Sequence, residues 1–250
     1  MLKKKKAGSI IEYFDRESPE AIEMRRVFNY LTTKSEQKNN ILNSFAVTSA
    51  TLGEGKSTIA SLLAVSIADH SKSNVLLVDI DFRRPRLHDV FSIKLAGGIS
   101  DILSGESIDN FILKSTSFDN LKILTAGKRL SNPISLLDGD RLRSFFDKMR
   151  YHFDYIILDC PPVIPVSDIM DIAPEIDGVL MVVKAGQTPK DVAKRAVNLL
   201  KNYGINILGC ILNDTEKVLP YYYDYSYYRY SSRQDKSTKH PNKRKQKATA

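Results

Sequence analysis

Six short apolar runs punctuate this chain: Phe45–Ser49, Val75–Asp81, Leu121–Thr125, Tyr155–Cys160, Gly178–Lys184 and Ile207–Asn213. They are nearly continuous Val, Ile and Leu, with no regular polar alternation, which predicts strands of a sheet covered on both faces. Between them the apolar positions change period. Ile59, Leu62, Leu63, Ser66 and Ile67 follow helical spacing, as do Val192, Ala196, Leu199 and Leu200. Strand–helix alternation predicts an α/β fold, a mainly parallel sheet with helices on both faces. A further helix is predicted ahead of the first strand, over Pro19–Thr33. Ser18 stands at its N-cap, Pro19 at its first position, and Glu20 and Glu23 in its first turn. A Lys/Asn-rich linker, Lys34–Asn40, follows. The expected organisation is a basic and helical segment at 1–40, the α/β domain at 41–220, and a tail at 221–250 whose composition predicts disorder.

Charge changes this picture only at the ends. The 250 residues hold 37 Lys+Arg against 29 Asp+Glu, a formal charge of +8. Four of the cations are Lys3–Lys6, and seven lie between Arg233 and Lys247, where one Asp accompanies them. What remains is 26 basic and 28 acidic residues, a body near −2. That balance argues against nucleic acid as a partner. Basic ends can be solvated tails, or can be drawn to an anionic membrane surface at about 1 kcal/mol per Lys or Arg, so peripheral membrane association is an expectation. Two cysteines cannot build a disulfide framework. No apolar run reaches the roughly 20 residues of a membrane span, and none follows Lys3–Lys6 as a signal peptide requires. A cytoplasmic protein is expected.

The most informative stretch is Ala50-Thr-Leu-Gly-Glu-Gly-Lys-Ser-Thr58. It follows a predicted strand and opens a predicted helix, the setting of a phosphate-binding loop. Gly53 and Gly55 let backbone N–H groups turn inward around phosphate oxygens. The helix N-terminus points its positive end at the same oxygens. Lys56 supplies a mobile charge for the β- and γ-phosphates, and Ser57 a hydroxyl for Mg²⁺. The candidate nucleotide-binding set is Gly53, Glu54, Gly55, Lys56, Ser57 and Thr58. Three acids narrow the chemistry. Asp79 and Asp81 end one apolar run and share a strand face; Asp159 ends another. Ligands of open α/β sheets sit beyond the carboxyl ends of strands, where the loop and all three acids fall. His70, His88, His152 and His240 show no metal-ligand spacing. Cys160 and Cys210 lie within strand runs and are expected to be inert core residues. Arg83, Arg84 and Arg86 suit either phosphate binding or a solvated or subunit-facing edge.

Residues 221–230 hold seven of the chain's twelve tyrosines: Tyr221, Tyr222, Tyr223, Tyr225, Tyr227, Tyr228 and Tyr230. Neither helical nor strand spacing orders them. They are either a low-complexity end or a set of phosphoacceptors on a tether. A phenol with a pKa of about 10 needs a nearby acceptor for its proton to be phosphorylated.

Taken together these motifs resemble the Walker A, A′ and B motifs of the bacterial tyrosine kinases of capsule and exopolysaccharide biosynthesis. The likeness spans roughly Ser18 to Tyr230. It includes Asn132-Pro133-Ile134-Ser135-Leu136-Leu137, Pro161-Pro162-Val163 with Ser167-Asp168, Gly209-Cys210-Ile211-Leu212-Asn213, and the tyrosine-rich end. Leu52 replaces the family's usual Pro and Cys160 its usual Thr. The family's N-terminal Glu-x-x-Arg-x-x-Arg oligomerisation motif is present only as Glu23, Arg26 and then Asn29.

The resemblance implies an ATP- and Mg²⁺-dependent protein-tyrosine autokinase, transferring phosphate from ATP to protein tyrosine. Lys56 would neutralise the transferred phosphoryl group. Ser57 and Asp81 would hold Mg²⁺, with Asp159 acting through a water. Asp79 would accept the tyrosine proton, and Asn213 would contact adenine. Like the split form of the family, the chain would be activated by the cytoplasmic tail of a membrane polysaccharide co-polymerase and recruited by it to the inner face of the membrane. A homo-oligomeric ring and a tyrosine phosphatase partner are also implied. The rival is an ATPase of the same broad fold that positions DNA or division machinery. Such ATPases usually carry a Lys after the first loop position, where this chain has Thr51, and lack a tyrosine cluster.

Overall fold

The computed structural model describes residues 14–37, 39, 41–105, 113–128 and 133–215. The tyrosine cluster, both basic ends and Asn132 lie outside the described residues.

The first element among the described residues is α1 (Pro19–Gln37). The Ser18 hydroxyl accepts the Ala21 N–H at 3.2 Å, as an N-cap does. The helix continues four residues past the predicted Thr33, so most of the expected linker is helical. Then come β1 (Ser44–Ser49), α2 (Lys56–His70), β2 (Val75–Asp79), α3 (Leu87–Val90), α4 (Ile99–Leu103), β3 (Lys114–Ser115) and β4 (Leu121–Leu124). They are followed by α5 (Gly139–His152), β5 (Tyr155–Asp159), α6 (Asp168–Ile172), β6 (Gly178–Lys184), α7 (Lys190–Asn202) and β7 (Ile207–Asn213).

The seven strands form one sheet in the order β3-β4-β2-β5-β1-β6-β7. Every neighbouring pair is parallel except β3 with β4. Successive strand residues face opposite layers. Phe45, Val47, Leu77, Ile157, Leu180 and Val182 meet α1 and α2. Ala46, Leu76, Val78, Ile156, Leu158 and Met181 meet α5 and α7. This two-sided burial is why the strands carry no polar alternation.

Helix α2 is apolar around most of its circumference, from Ile59 to Ala68, because it lies between the sheet and α1. Helix α1 adds Ala21, Met24, Phe28 and Leu31 to the same core, and the Phe28 ring meets Tyr155 edge-on at 5.2 Å. Burying Met24, Phe28 and Leu31 contributes about 1.5–3 kcal/mol each, so α1 is an integral layer of the fold. On its outer side Arg26 pairs with Glu23 at 2.6 Å.

Two further expectations need correction. The run from Val75 was expected to remain a strand to Asp81, but β2 stops at Asp79, whose own carboxylate captures the backbone that follows. Cys210 was expected to be core, but β7 is an edge strand with one poorly covered face, and Cys210 is exposed on it. Cys160 is buried, and burial followed by the charge of Asp159 pushes its thiol pKa well up, so it is the inert residue expected.

Candidate active site

Parallel register brings the chemistry to one rim. Asp79 lies beside Asp159 across β2 and β5, and Val47 of β1 is level with Asp159 on its other side. Two residues past Val47, β1 ends at Ser49 and the chain turns into the Gly-rich loop. Gly53 and Gly55 have φ of +81° and +92°, left-handed values that favour glycine. At Gly55 a Cβ would also displace the Asn213 side-chain amide, which packs directly against this glycine.

Immediately after this turn Lys56 begins α2. Its Nζ lies 2.9 Å from Asp81 Oδ2 and 3.5 Å from Asp159 Oδ1, almost fully out of solvent. Burial disfavours the ammonium, but Asp159, Asp81 and Asp79 outweigh it, and the Lys56 pKa is raised. The lysine is therefore firmly a cation. Asp159 is wholly buried. Burial lifts its pKa while Lys56 and the Ser57 hydroxyl pull it down, and its Oδ2 has no hydrogen-bond partner. Ser57 and Thr58 are half-buried in the first turn of α2.

Asp79 and Asp81 are two residues apart yet differently employed. Asp79 Oδ1 accepts the Asp81 N–H at 3.1 Å, and its Oδ2 accepts the N–H groups of Arg86 and Leu87 at 2.9 and 3.0 Å. Burial and then the charge of Asp159 push its pKa up to about 8, against the opposing pull of those N–H groups and of Lys56. Asp81 gives Oδ1 to the Arg84 N–H and Oδ2 to Lys56. Asp79 shapes the turn from which Asp81 projects.

The structure brings together Lys56, Ser57, Asp79, Asp81 and Asp159, and places Asn213 against the loop. The Asn213 Nδ2 donates to the Glu54 carbonyl at 2.9 Å, and its Oδ1 accepts the Asp214 N–H. Glu54 was expected only as part of the loop. Its side chain is buried, accepting the Thr51 N–H at 2.9 Å and the Thr188 hydroxyl. Arg83, for which phosphate binding and an outer edge stood equal, pairs with the buried Asp168, whose Oδ1 has no partner. Thr188 and the Arg83–Asp168 pairing were missed. A Thr before Pro189 at a helix start was a visible signal for a structural hydroxyl, but no local pattern names a partner 134 residues away.

Among the described residues no three His, Cys, Asp or Glu side chains form a cage able to hold a metal by themselves. Mg²⁺ is commonly held by one or two carboxylates together with phosphate oxygens and water. Asp81, Ser57 and the unpartnered oxygen of Asp159 are a donor set of that kind.

The family described as ParA: NUBPL iron-transfer P-loop NTPase matches residues 40–240. The putative tyrosine-protein kinase CapB of Staphylococcus aureus is 30% identical over 227 residues, 90% of this chain and 99% of its own length. The tyrosine-protein kinase YwqD of Bacillus subtilis is 33% identical over 75% of this chain and 78% of its own. Among solved structures, the chimerical protein CapA2B2 superposes with a TM-score of 0.75 at 28% identity, covering 83% of this chain and 90% of that one. A Gly-rich loop, a buried lysine between two carboxylates, and relatives matched along 78–99% of their own length agree: the chain belongs to the bacterial tyrosine-protein kinases, built on the P-loop NTPase fold.

Proposed function

We propose that this protein is an ATP- and Mg²⁺-dependent protein-tyrosine kinase that phosphorylates its own C-terminal tyrosines, and that it regulates capsule or exopolysaccharide synthesis with a membrane activator. The observation that carries the catalytic part is Lys56, held between Asp81 and Asp159 at the head of α2. A cation there can follow the charge that builds on a transferring phosphoryl group, a contribution of several kcal/mol. Ser57 and Asp81 would hold Mg²⁺, with Asp159 beyond a water; the ion, when bound, supplies further charge neutralisation. Asp79 is the acceptor for the tyrosine proton. Its raised pKa matches the operating range of a general base, though three backbone donors already engage it. Asn213, which donates to the Glu54 carbonyl, would contact adenine.

Activation by a cytoplasmic tail of the membrane partner, recruitment to the inner membrane face, subunit assembly and reversal by a phosphatase belong to the same proposal. Among the described residues no helix is long and apolar enough to cross a membrane. The protein incubated with ATP and Mg²⁺, with and without that tail as a peptide, tests the reading. Phosphotyrosine mapped by mass spectrometry is expected within Tyr221–Tyr230, rising with the peptide. ATP hydrolysis without phosphotyrosine would favour the ATPase rival. Label confined to Tyr13, Tyr30, Tyr151, Tyr155 or Tyr203 would overturn the choice of acceptor.

A further inference from the structure

The phosphate loop contains a buried acid that phosphoryl transfer does not use. Glu54 is 1% exposed. A carboxylate in a loop built to hold anions is electrostatically adverse, and burying it costs free energy unless its oxygens are bonded. Both are. Oε2 accepts the Thr51 N–H, closing the loop on itself, and Oε1 accepts the Thr188 hydroxyl.

Thr188 is held in a fixed sense. Its hydroxyl oxygen already accepts the Lys184 N–H at 3.2 Å, and its own N–H donates to the Lys184 carbonyl at 3.0 Å. The hydroxyl proton is thereby directed to Glu54. The end of β7 joins the same junction. Asn213 donates to the Glu54 carbonyl, the Asn213 carbonyl accepts the Ala185 N–H at 2.8 Å, and Lys184 lies 3.6 Å from Asp214. Three segments distant in sequence meet at one residue of the loop.

We propose that Glu54 and Thr188 form a latch that sets the shape of the phosphate loop, making Thr188 a positioning residue for nucleotide. This rests on the reading of the loop as the nucleotide-phosphate site. Thr188 touches no phosphate. It fixes the carboxylate that fixes the Thr51 N–H, and so the backbone donors between Thr51 and Lys56. Through Lys184 and Ala185 the latch also ties the loop to the end of β7, so the phosphate side and the Asn213 side of the site move as one unit.

Thr188→Val keeps the shape and removes the hydroxyl. It leaves a Glu54 oxygen and the Lys184 N–H without partners. The dissociation constant for a fluorescent N-methylanthraniloyl ADP, and the KM for ATP, are expected to rise about tenfold, with kcat within about twofold of wild type. Thr188→Ser is expected to restore both. Glu54→Gln is expected to weaken binding in the same direction, because an amide nitrogen cannot accept the hydroxyl proton. The double variant should be no worse than the worse single one, since both break one link. A purely structural brace would lower the melting temperature or kcat and leave KM unmoved; that result overturns the latch. Wild-type affinity in folded Thr188→Val, additive losses in the double variant, or failure of Ser to rescue would also overturn it. Should Thr188→Val not fold, wild-type affinity in Glu54→Gln overturns the latch in its place. Wild-type protein that binds no labelled ADP overturns the nucleotide reading and the latch together, whereas wild-type binding unaffected by these substitutions overturns the latch alone.

Discussion

The two rims of the sheet use aspartate for opposite ends. At the rim where the strands begin, Asp177 accepts the N–H groups of Asn43 and Ser44 at 2.8 and 2.7 Å, and Asp154 accepts the Asn74 N–H at 2.8 Å. These acids staple strand entries to neighbouring loops. At the rim where the strands end, Asp81 and Asp159 converge on a lysine. The buried carboxylate oxygens without hydrogen-bond partners among the described residues, on Asp159 and Asp168, are also there. A satisfied acid stabilises; a buried acid left partly unsatisfied keeps coordination capacity for a ligand at the cost of stability. Asp79 crosses the division: it stands at the working rim but is bonded like a staple.

The largest expected effect comes from removing the cation. Lys56→Met should lower phosphotyrosine formation at least about a hundredfold, measured by anti-phosphotyrosine blotting on protein shown folded by circular dichroism. Activity near wild type would dissolve the contrast between the rims. Next is Asp79→Ala against Asp81→Ala. Loss of Asp79 strands three backbone N–H groups and should cost about 3 kcal/mol in urea unfolding while slowing transfer. Loss of Asp81 should act mainly on the KM for Mg·ATP. If titration shows Asp79→Ala losing Mg·ATP as badly as Asp81→Ala, the base role is unsupported and Asp79 is better described as a ligand. Asp177→Ala should cost about 2 kcal/mol of stability and leave kcat/KM within about twofold, read from denaturant midpoints and initial rates. Smallest is Asp154→Ala. Its residue is exposed and water can replace its bond, so a loss under about 1 kcal/mol is expected; a larger loss would mean the entry rim is strained.

Much of this was legible in the chain. The runs Gly178–Lys184 and Ile207–Asn213 coincide with β6 and β7, because long apolar segments flanked by turn residues leave little freedom in placing strands. The phosphate loop was legible because two glycines, a lysine and a hydroxyl must occur at fixed spacing for the backbone to curl around an anion. Strand β3 was not, since two residues, Lys114 and Ser115, carry no periodicity. The end of β2 was misjudged because the Asp79 side chain, through its bonds to Arg86 and Leu87, decides it from outside the strand. Exposure of Cys210 could not be read, because Ile207–Asn213 has the composition of a central strand and only the sheet order makes it an edge. The partners of Glu54 and Arg83 are long-range pairings of ordinary residues, which leave no mark on local pattern.

Helix α2 also has a consequence for motion. Enclosed by the sheet and α1, it has almost no face from which water could reach its amides, so those from Leu62 to Ala68 are expected to exchange hydrogen only when the whole domain opens. β7, with one open edge, should exchange in smaller local openings. Lys56 is thus mounted on one of the most enclosed elements among the described residues. A catalytic cycle cannot be driven by melting or sliding that helix. Rearrangement between nucleotide states has to be carried by the segments ringing its head, at 50–55, 80–86, 161–167 and 184–189, which turn about a fixed pivot.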